Sequence, residues 1–347
     1  MKLSLKLPTL TLVSWGIMAG NASALITIDT VPVGNAGNAN DPLTGFGAVS
    51  YDYSIGKYEV TLNQYSAFLN AVGATDTYGL YNPSMGTDLN IMGISRSGAS
   101  GSYTYSVIGS GNRPVTYVSW FDSARFVNWL QNGQPTGLQA AGTTETGAYT
   151  LTGNSGLIAR NANTTYGLPS DNEWYKAAYH QPVGQGGASD NYWLMPTKSN
   201  DMPNSRNGSA SDANSANFHR DDGIANGFNG GFAVNNSTDV PTGNALTDVG
   251  AFSLADSFYG TFDQGGNVWE WNDAVIGSAR GGRGGSWYSS PYSYGGDDLL
   301  GENRYGDVPT DETHSMGFRI AIVPEPSMIG IMALGIILLA WKRKRTL

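Results

Sequence analysis

Helix signals occur three times in the first half of this 347-residue chain and then stop, which excludes a helical bundle and any regular alternation of strand and helix. Thr61 and Gln64 stand at capping-box spacing, and Tyr65, Phe68, Leu69 and Val72 follow on one helical stripe. Ser119 and Asp122 repeat the pattern ahead of Ala124 and Val127, with Trp120 on the buried side. Ser170 and Glu173 repeat it again ahead of Trp174, Ala177 and Ala178. Residues 113–118 read as a β-type run leading into the second helix. Residues 184–247 then turn to Gly, Asn, Ser and Asp, with Tyr192, Trp193, Phe218 and Phe232 as anchors. Such a stretch cannot hold itself together by apolar burial and needs a surrounding scaffold or bound ions. Aromatic β-type segments at 261–271, 280–287 and 316–321 close the body. No repeat or linker divides it, so the expectation is one α+β domain with few long helices and many loops.

The chain has no cysteine, which removes disulfides, thiolate metal sites, iron–sulfur clusters and a cysteine nucleophile. His180, His219 and His314 are spread along the sequence with no His-Glu-x-x-His pair, which speaks against a zinc hydrolase. There is no Gly-x-Ser-x-Gly elbow. The glycines at 280–285 lack the Lys-Ser/Thr of a phosphate loop and read as tight turns and close backbone approach. Arg283 and Arg319 read as buried framework arginines.

Both ends read as sorting signals. Residues 1–24 have Lys2 and Lys6, an apolar stretch at 10–19, and Ala22-Ser23-Ala24, a cleavage site for signal peptidase that leaves Leu25 first. At the other end Pro324, Glu325 and Pro326 precede an apolar run at 328–341 and then Lys342-Arg343-Lys344-Arg345. Fourteen residues make about 21 Å of helix, short of a ~30 Å hydrocarbon core, but the basic cluster holds that end cytoplasmic while everything upstream is exported. The pattern resembles the PEP-CTERM sorting signal of exopolysaccharide-producing Gram-negative bacteria. That resemblance implies the secretion machinery, then an exosortase-type membrane protease, as partners. It also implies inner-membrane anchoring, with possible release to the cell surface or matrix.

Residues 1–24 and 327–347 carry six of the 19 Lys and Arg and none of the 28 Asp and Glu, so the rest of the chain has a surplus of fifteen acids. That excludes a nucleic-acid backbone as partner. It suits a soluble extracellular protein that binds hard cations through oxygen. The expected organisation is a signal peptide at 1–24, an extended lead-in at 25–47, one domain at 48–323 and the sorting tail at 324–347.

Six ordered blocks of the body carry a further resemblance: Tyr58-Glu59-Val60-Thr61; Pro114-Val115 running into Val118-Ser119-Trp120; and Leu168-Pro169-Ser170 with Glu173-Trp174. The later three are Gly265-Gly266-Asn267-Val268-Trp269-Glu270-Trp271, Arg283-Gly284-Gly285-Ser286-Trp287 and Gly317-Phe318-Arg319. Together they resemble the formylglycine-generating enzyme (sulfatase-modifying factor) family, which implies a C-type-lectin-like α+β fold. Active members use two cysteines, just after the Gly-Gly-Ser-Trp/Tyr block, to bind copper(I) and activate oxygen. The matching positions are Ser289 and Tyr294. A hydroxyl is a hard, poor ligand for copper(I), so the resemblance implies a domain without copper and without that reaction.

Calcium is the cofactor that the resemblance implies. One site would use the carboxylates of Asp263 and Glu270 with the carbonyls of Gly266 and Val268, and a second Asn217, the Phe218 carbonyl and Asp239. Calcium takes six to eight oxygens in irregular geometry, so the donor types suit it. Trp287, Tyr288, Tyr292 and Tyr294 fall where the family has its substrate groove, and an aromatic-lined groove can recognise a polysaccharide or a peptide. Three readings stand at this point: a non-catalytic, calcium-stabilised surface module with such a ligand; an enzyme with altered, oxidoreductase-like chemistry on the same scaffold; and a structural matrix protein.

Overall fold

A computed structural model describes residues 25–205, 212–220, 231–289 and 298–323. The signal peptide, the sorting tail, Tyr292 and Tyr294 lie outside the described residues, among which no helix is long and apolar enough to cross a membrane.

The three helices form where their caps predict: α1 at Leu62–Val72, α2 at Trp120–Gln131 and α3 at Asp171–Tyr179. In each, the cap hydroxyl accepts from the third helical N–H, and the side chain at that position accepts from the cap N–H in return. Residues 120–130 of α2 are all buried, which makes it the central rod of the domain. Tyr65 and Phe68 of α1 pack on Phe126 of α2, and Phe126 meets Phe318 edge-on at 5.4 Å.

Two four-stranded sheets flank this core. One runs β1 (Thr30–Val33), β2 (Tyr53–Gly56), β12 (Ala321–Ile322), β5 (Tyr166–Gly167), antiparallel throughout. The lead-in expected at 25–47 therefore supplies an edge strand, and Pro32 is tolerated there because an edge leaves one row of N–H groups unpaired. The other sheet runs β10 (Tyr305–Asp307), β9 (Ala279–Arg283), β8 (Trp269–Ile276), β11 (Met316–Phe318), with β11 parallel to β8. Two small pairs complete the set: β3 (Ile94–Ser97) with β4 (Thr104–Val107), and β6 (His219–Arg220) with β7 (Gly231–Phe232).

Two β-type readings are corrected. Residues 113–118 make only a bridge from Pro114 to Thr61, because Pro114 has no N–H and Tyr117 turns at φ 57°. Residues 261–268 are loop, broken by Asp263 and Asn267, both at φ 60°. Of the anchors expected in the Gly/Asn-rich stretch, Tyr192, Phe218 and Phe232 are buried and Trp193 is half-buried.

Both ends of the body gather at the C-terminal end of α2. Ile26 N–H donates to Gln134 Oε1 at 2.8 Å, and Gln134 Nε2 donates back to the Ile26 carbonyl at 2.9 Å. Val323 N–H donates to the Thr165 carbonyl at 2.9 Å, and Gln131 Oε1 accepts from the N–H groups of Thr165 and Tyr166. At the opposite end of α2, Trp120 N–H donates to the Pro309 carbonyl, and the adjoining Tyr117 N–H to that of Thr313.

Candidate functional site

The loop leading into β8 builds a buried polar network. Gly266 sits at φ +87° with the Asn217 carbonyl 2.4 Å from where a Cβ would be, so only glycine fits. Asn267 then reaches in three directions. Its Oδ1 accepts from Asn217 Nδ2 at 3.0 Å and Thr247 N–H at 3.2 Å, and its Nδ2 donates to Glu59 Oε1 at 3.2 Å. Its carbonyl accepts from Trp287 N–H at 2.9 Å. One side chain thus joins segments that are 208 and 50 residues away.

Glu270, on β8, faces Arg319. Nη2 donates to Oε1 at 2.6 Å and Nε to Oε2 at 2.5 Å, and Trp174 Nε1 adds a third bond at 2.7 Å. Arg319 also donates to the carbonyls of Gly56 and Phe262, and neither partner is exposed. Arg283 is likewise buried, paired with Asp171 and bonded to the carbonyls of Gly301 and Asn303. Both are framework arginines in their contacts.

Two more acids lie in the field of that guanidinium. Asp263 Oδ2 accepts from Gly250 N–H at 2.5 Å, and burial pushes its carboxyl up to about 6. Glu59 is raised well above the usual carboxylate range, by burial first and then by Asp263, and its Oε2 has no hydrogen-bond partner among the described residues. Three carboxyls therefore stand around one arginine.

That surplus of hard oxygen is the feature that fits calcium. A void of about 10 Å³, the size of one small occupant, lies against Asp263, Thr197, Ser215, Thr261 and Gln264. Ser215 Oγ has no hydrogen-bond partner among the described residues. A cation at Glu270 would have to compete with Arg319 for both oxygens. Among the described residues no group of three or more His, Asp or Glu converges closely enough to hold a metal ion by itself, so backbone carbonyls such as those of Gly266 and Val268 would have to supply donors. Of the second expected set, Asn217 and Phe218 are buried, and Asn217 Nδ2 is spent on Asn267 and the Ala245 carbonyl. Asp239 is exposed on a turn where its carbonyl accepts from Asn235.

The second feature is an aromatic patch. After β9, Gly284 and Gly285 take φ +98° and +71°; beyond this turn Trp287 is buried while Tyr288 is 52% exposed. Tyr288 meets Trp287 at 5.2 Å, His314 at 5.7 Å and Phe232 at 6.2 Å. His219 stacks on Phe232 at 4.2 Å, and Trp287 Nε1 donates to the His314 carbonyl. Two of the chain's three histidines therefore meet here, 95 positions apart in sequence, where the sequence reading saw only scatter. Burial lowers the His314 pKa, which favours the neutral ring. Ser289 is buried behind the patch. Its Oγ accepts from Ser286 N–H at 3.0 Å, and its carbonyl accepts from His219 N–H. The patch offers ring faces, a phenol and imidazoles, a set suited to stacking and hydrogen bonding.

Comparison with known proteins follows the same division. Residues 30–323 match the model of the sulfatase-modifying factor enzyme 1-like domain, and residues 323–345 match the PEP-CTERM protein-sorting motif. The crystal structure of CarF is similar at 22% identity and TM-score 0.50, covering 86% of this chain and 99% of that one. Treponema denticola variable protein 1 aligns at 18% identity and TM-score 0.46, covering 87% and 97%. PvdO from Pseudomonas aeruginosa aligns at 17% and 0.41, covering 86% and 92%. No curated protein sequence matches the chain significantly.

Proposed function

The chain belongs to the sulfatase-modifying-factor family and ends in a PEP-CTERM sorting motif; from that premise we propose that it is an exported, surface-attached binding module without the family's oxidase chemistry. Calcium stiffens its loops, and the patch around Tyr288 takes an extracellular polysaccharide or peptide. The observation that carries this reading is Ser289. The resemblance places it at a thiol position of active relatives, it is engaged with Ser286, and no cysteine elsewhere in the chain can replace it. Soft thiolates are what hold copper(I), and hydroxyls do not substitute for them.

The calcium reading rests on the carboxyl surplus beside Arg319 and on the partnerless Glu59 oxygen. Asp263 and the carbonyls of Gly266 and Val268 would hold the ion, with Glu270 joining only if it leaves Arg319, and Asn217, Phe218 and Asp239 would frame a second one. The ion supplies charge compensation and loop order. The experiment has two arms. Incubating the purified body with copper and a cysteine-containing sulfatase peptide should yield no aldehyde and no oxygen uptake; either product refutes the non-catalytic reading. A glycan and peptide array should give a binder whose affinity falls about tenfold with Tyr288→Ala, the loss of one stacking aromatic, at unchanged melting temperature. Binding indifferent to that substitution removes the patch as the site.

A further inference from the structure

The tail settles more than attachment, because the fold fixes where the tail leaves the body. Four residues, 324–327, separate Val323 from the apolar run at 328–341, and such a link reaches at most about 14 Å fully extended. Val323 itself is tied through Thr165 to Gln131, at the end of α2, and the start of the body is tied through Ile26 to Gln134, one turn further on. The segments 25–28, 131–144, 161–168 and 320–323 contain no Asp, Glu, Lys or Arg, in a body with a surplus of fifteen acids; the charges nearest them are exposed Asp52, next to Tyr53 in the strand beside β12, Arg160, whose side chain lies against Gly167, Asp76, which accepts from Gln139 Nε2, and Glu325 in the link itself. Leu25 and Leu138 are 70% and 65% exposed there. Asp29, the first acid in the chain, lies beyond the contact of Thr27 with Gln64 on the first turn of α1, and Glu145 is buried against Arg125.

Anionic headgroups repel carboxylates within a Debye length, about 10 Å at 0.1 M salt, and a surface poor in acids lowers that cost. The twelve residues of α2 span about 18 Å, and at its far end stand Pro309, Thr313 and, next to it, His314 of the aromatic patch. We propose that, while the tail is uncut, the short link brings this charge-poor end against the lipid headgroups and α2 holds the Tyr288 patch on the side facing away from the membrane. The assignment rests on the reading of residues 328–341 as membrane-embedded.

The absence of cysteine makes the test direct, because every introduced thiol is unique. Single variants Leu138→Cys and Asn163→Cys report the charge-poor end, and Val308→Cys and Thr310→Cys the far end, all at positions exposed to solvent. Each is labelled with a fluorophore, and the chain with its tail intact is reconstituted in vesicles of phosphatidylethanolamine and phosphatidylglycerol carrying a headgroup nitroxide lipid. Labels at 138 and 163 should be quenched severalfold more than those at 308 and 310. Equal or reversed quenching on vesicles that carry the protein overturns the orientation and leaves attachment intact. Failure of the chain to float with the vesicles overturns the membrane reading, and the orientation with it. The paired positions at each end guard against one variant that misfolds.

Discussion

At the scale of single residues, the domain is governed by buried charges that lie far apart in sequence. Glu270 and Arg319 are unexposed, and removing one leaves the other without compensation. Glu270→Ala should therefore cost about 3–5 kcal/mol in urea unfolding, while replacing both partners by apolar residues should cost less. A second residue sets a pH dependence. Burial, and then the charge of Asp122, raise the Glu312 carboxyl from 4.5 to about 7, with Asn82 Nδ2 donating to it at 2.6 Å. The folded state thus holds a proton that the unfolded state gives up. This contribution is full below pH 4.5 and is lost as pH rises through about 7. Glu312→Gln should flatten the fall of melting temperature between those limits; an unchanged slope would show that the group titrates normally. The burial of Arg319 was legible in the sequence, but the groups that meet around it and the shift at Glu312 were not. Asn267 finds Glu59 across 208 positions, and the meeting of His219 with His314 through Phe232, Tyr288 and Trp287 has no local signature.

At the scale of elements, legibility follows contact range. The three capping boxes join residues three apart, so their side chains alone announce where helices begin, and all three form. The strands are two to eight residues long and take their places from distant partners, which is why 113–118 and 261–268 misled and β1 went unseen. The boxes also differ in what else they hold. Glu173 closes the cap of α3, and it accepts from Tyr51 Oη at 2.6 Å and pairs with Arg160 at 3.4 Å. Ser170→Ala should cost about 1 kcal/mol, the usual worth of a cap, whereas Glu173→Ala should cost at least about twice that, because it also strands Tyr51 and leaves Arg160 with Asp273 alone. Equal losses in denaturant titrations would mean that the outer contacts contribute nothing.

At the scale of the whole molecule, the question is what holds a loop-rich body together without covalent links. If calcium occupies the Asp263 region, an ion concentration of a hundred times its dissociation constant adds about 2.7 kcal/mol, seen as a melting temperature that climbs with the logarithm of calcium and collapses with chelator. Asp263→Asn should abolish most of that climb. A melting curve indifferent to chelator would instead leave protons as the compensation for the acids around Arg319.

The strand order β1-β2-β12-β5 carries one more consequence. The penultimate position in that sheet belongs to β12, the last strand among the described residues, and β2 and β5 each pair with it and not with one another. A polypeptide threaded across a membrane from its N-terminus must therefore wait, with two raw edges open to intermolecular pairing, until residues 321 and 322 emerge. Closure of that sheet is a built-in check on completeness: a prematurely terminated product cannot hide its edges, and only a fully translocated one can.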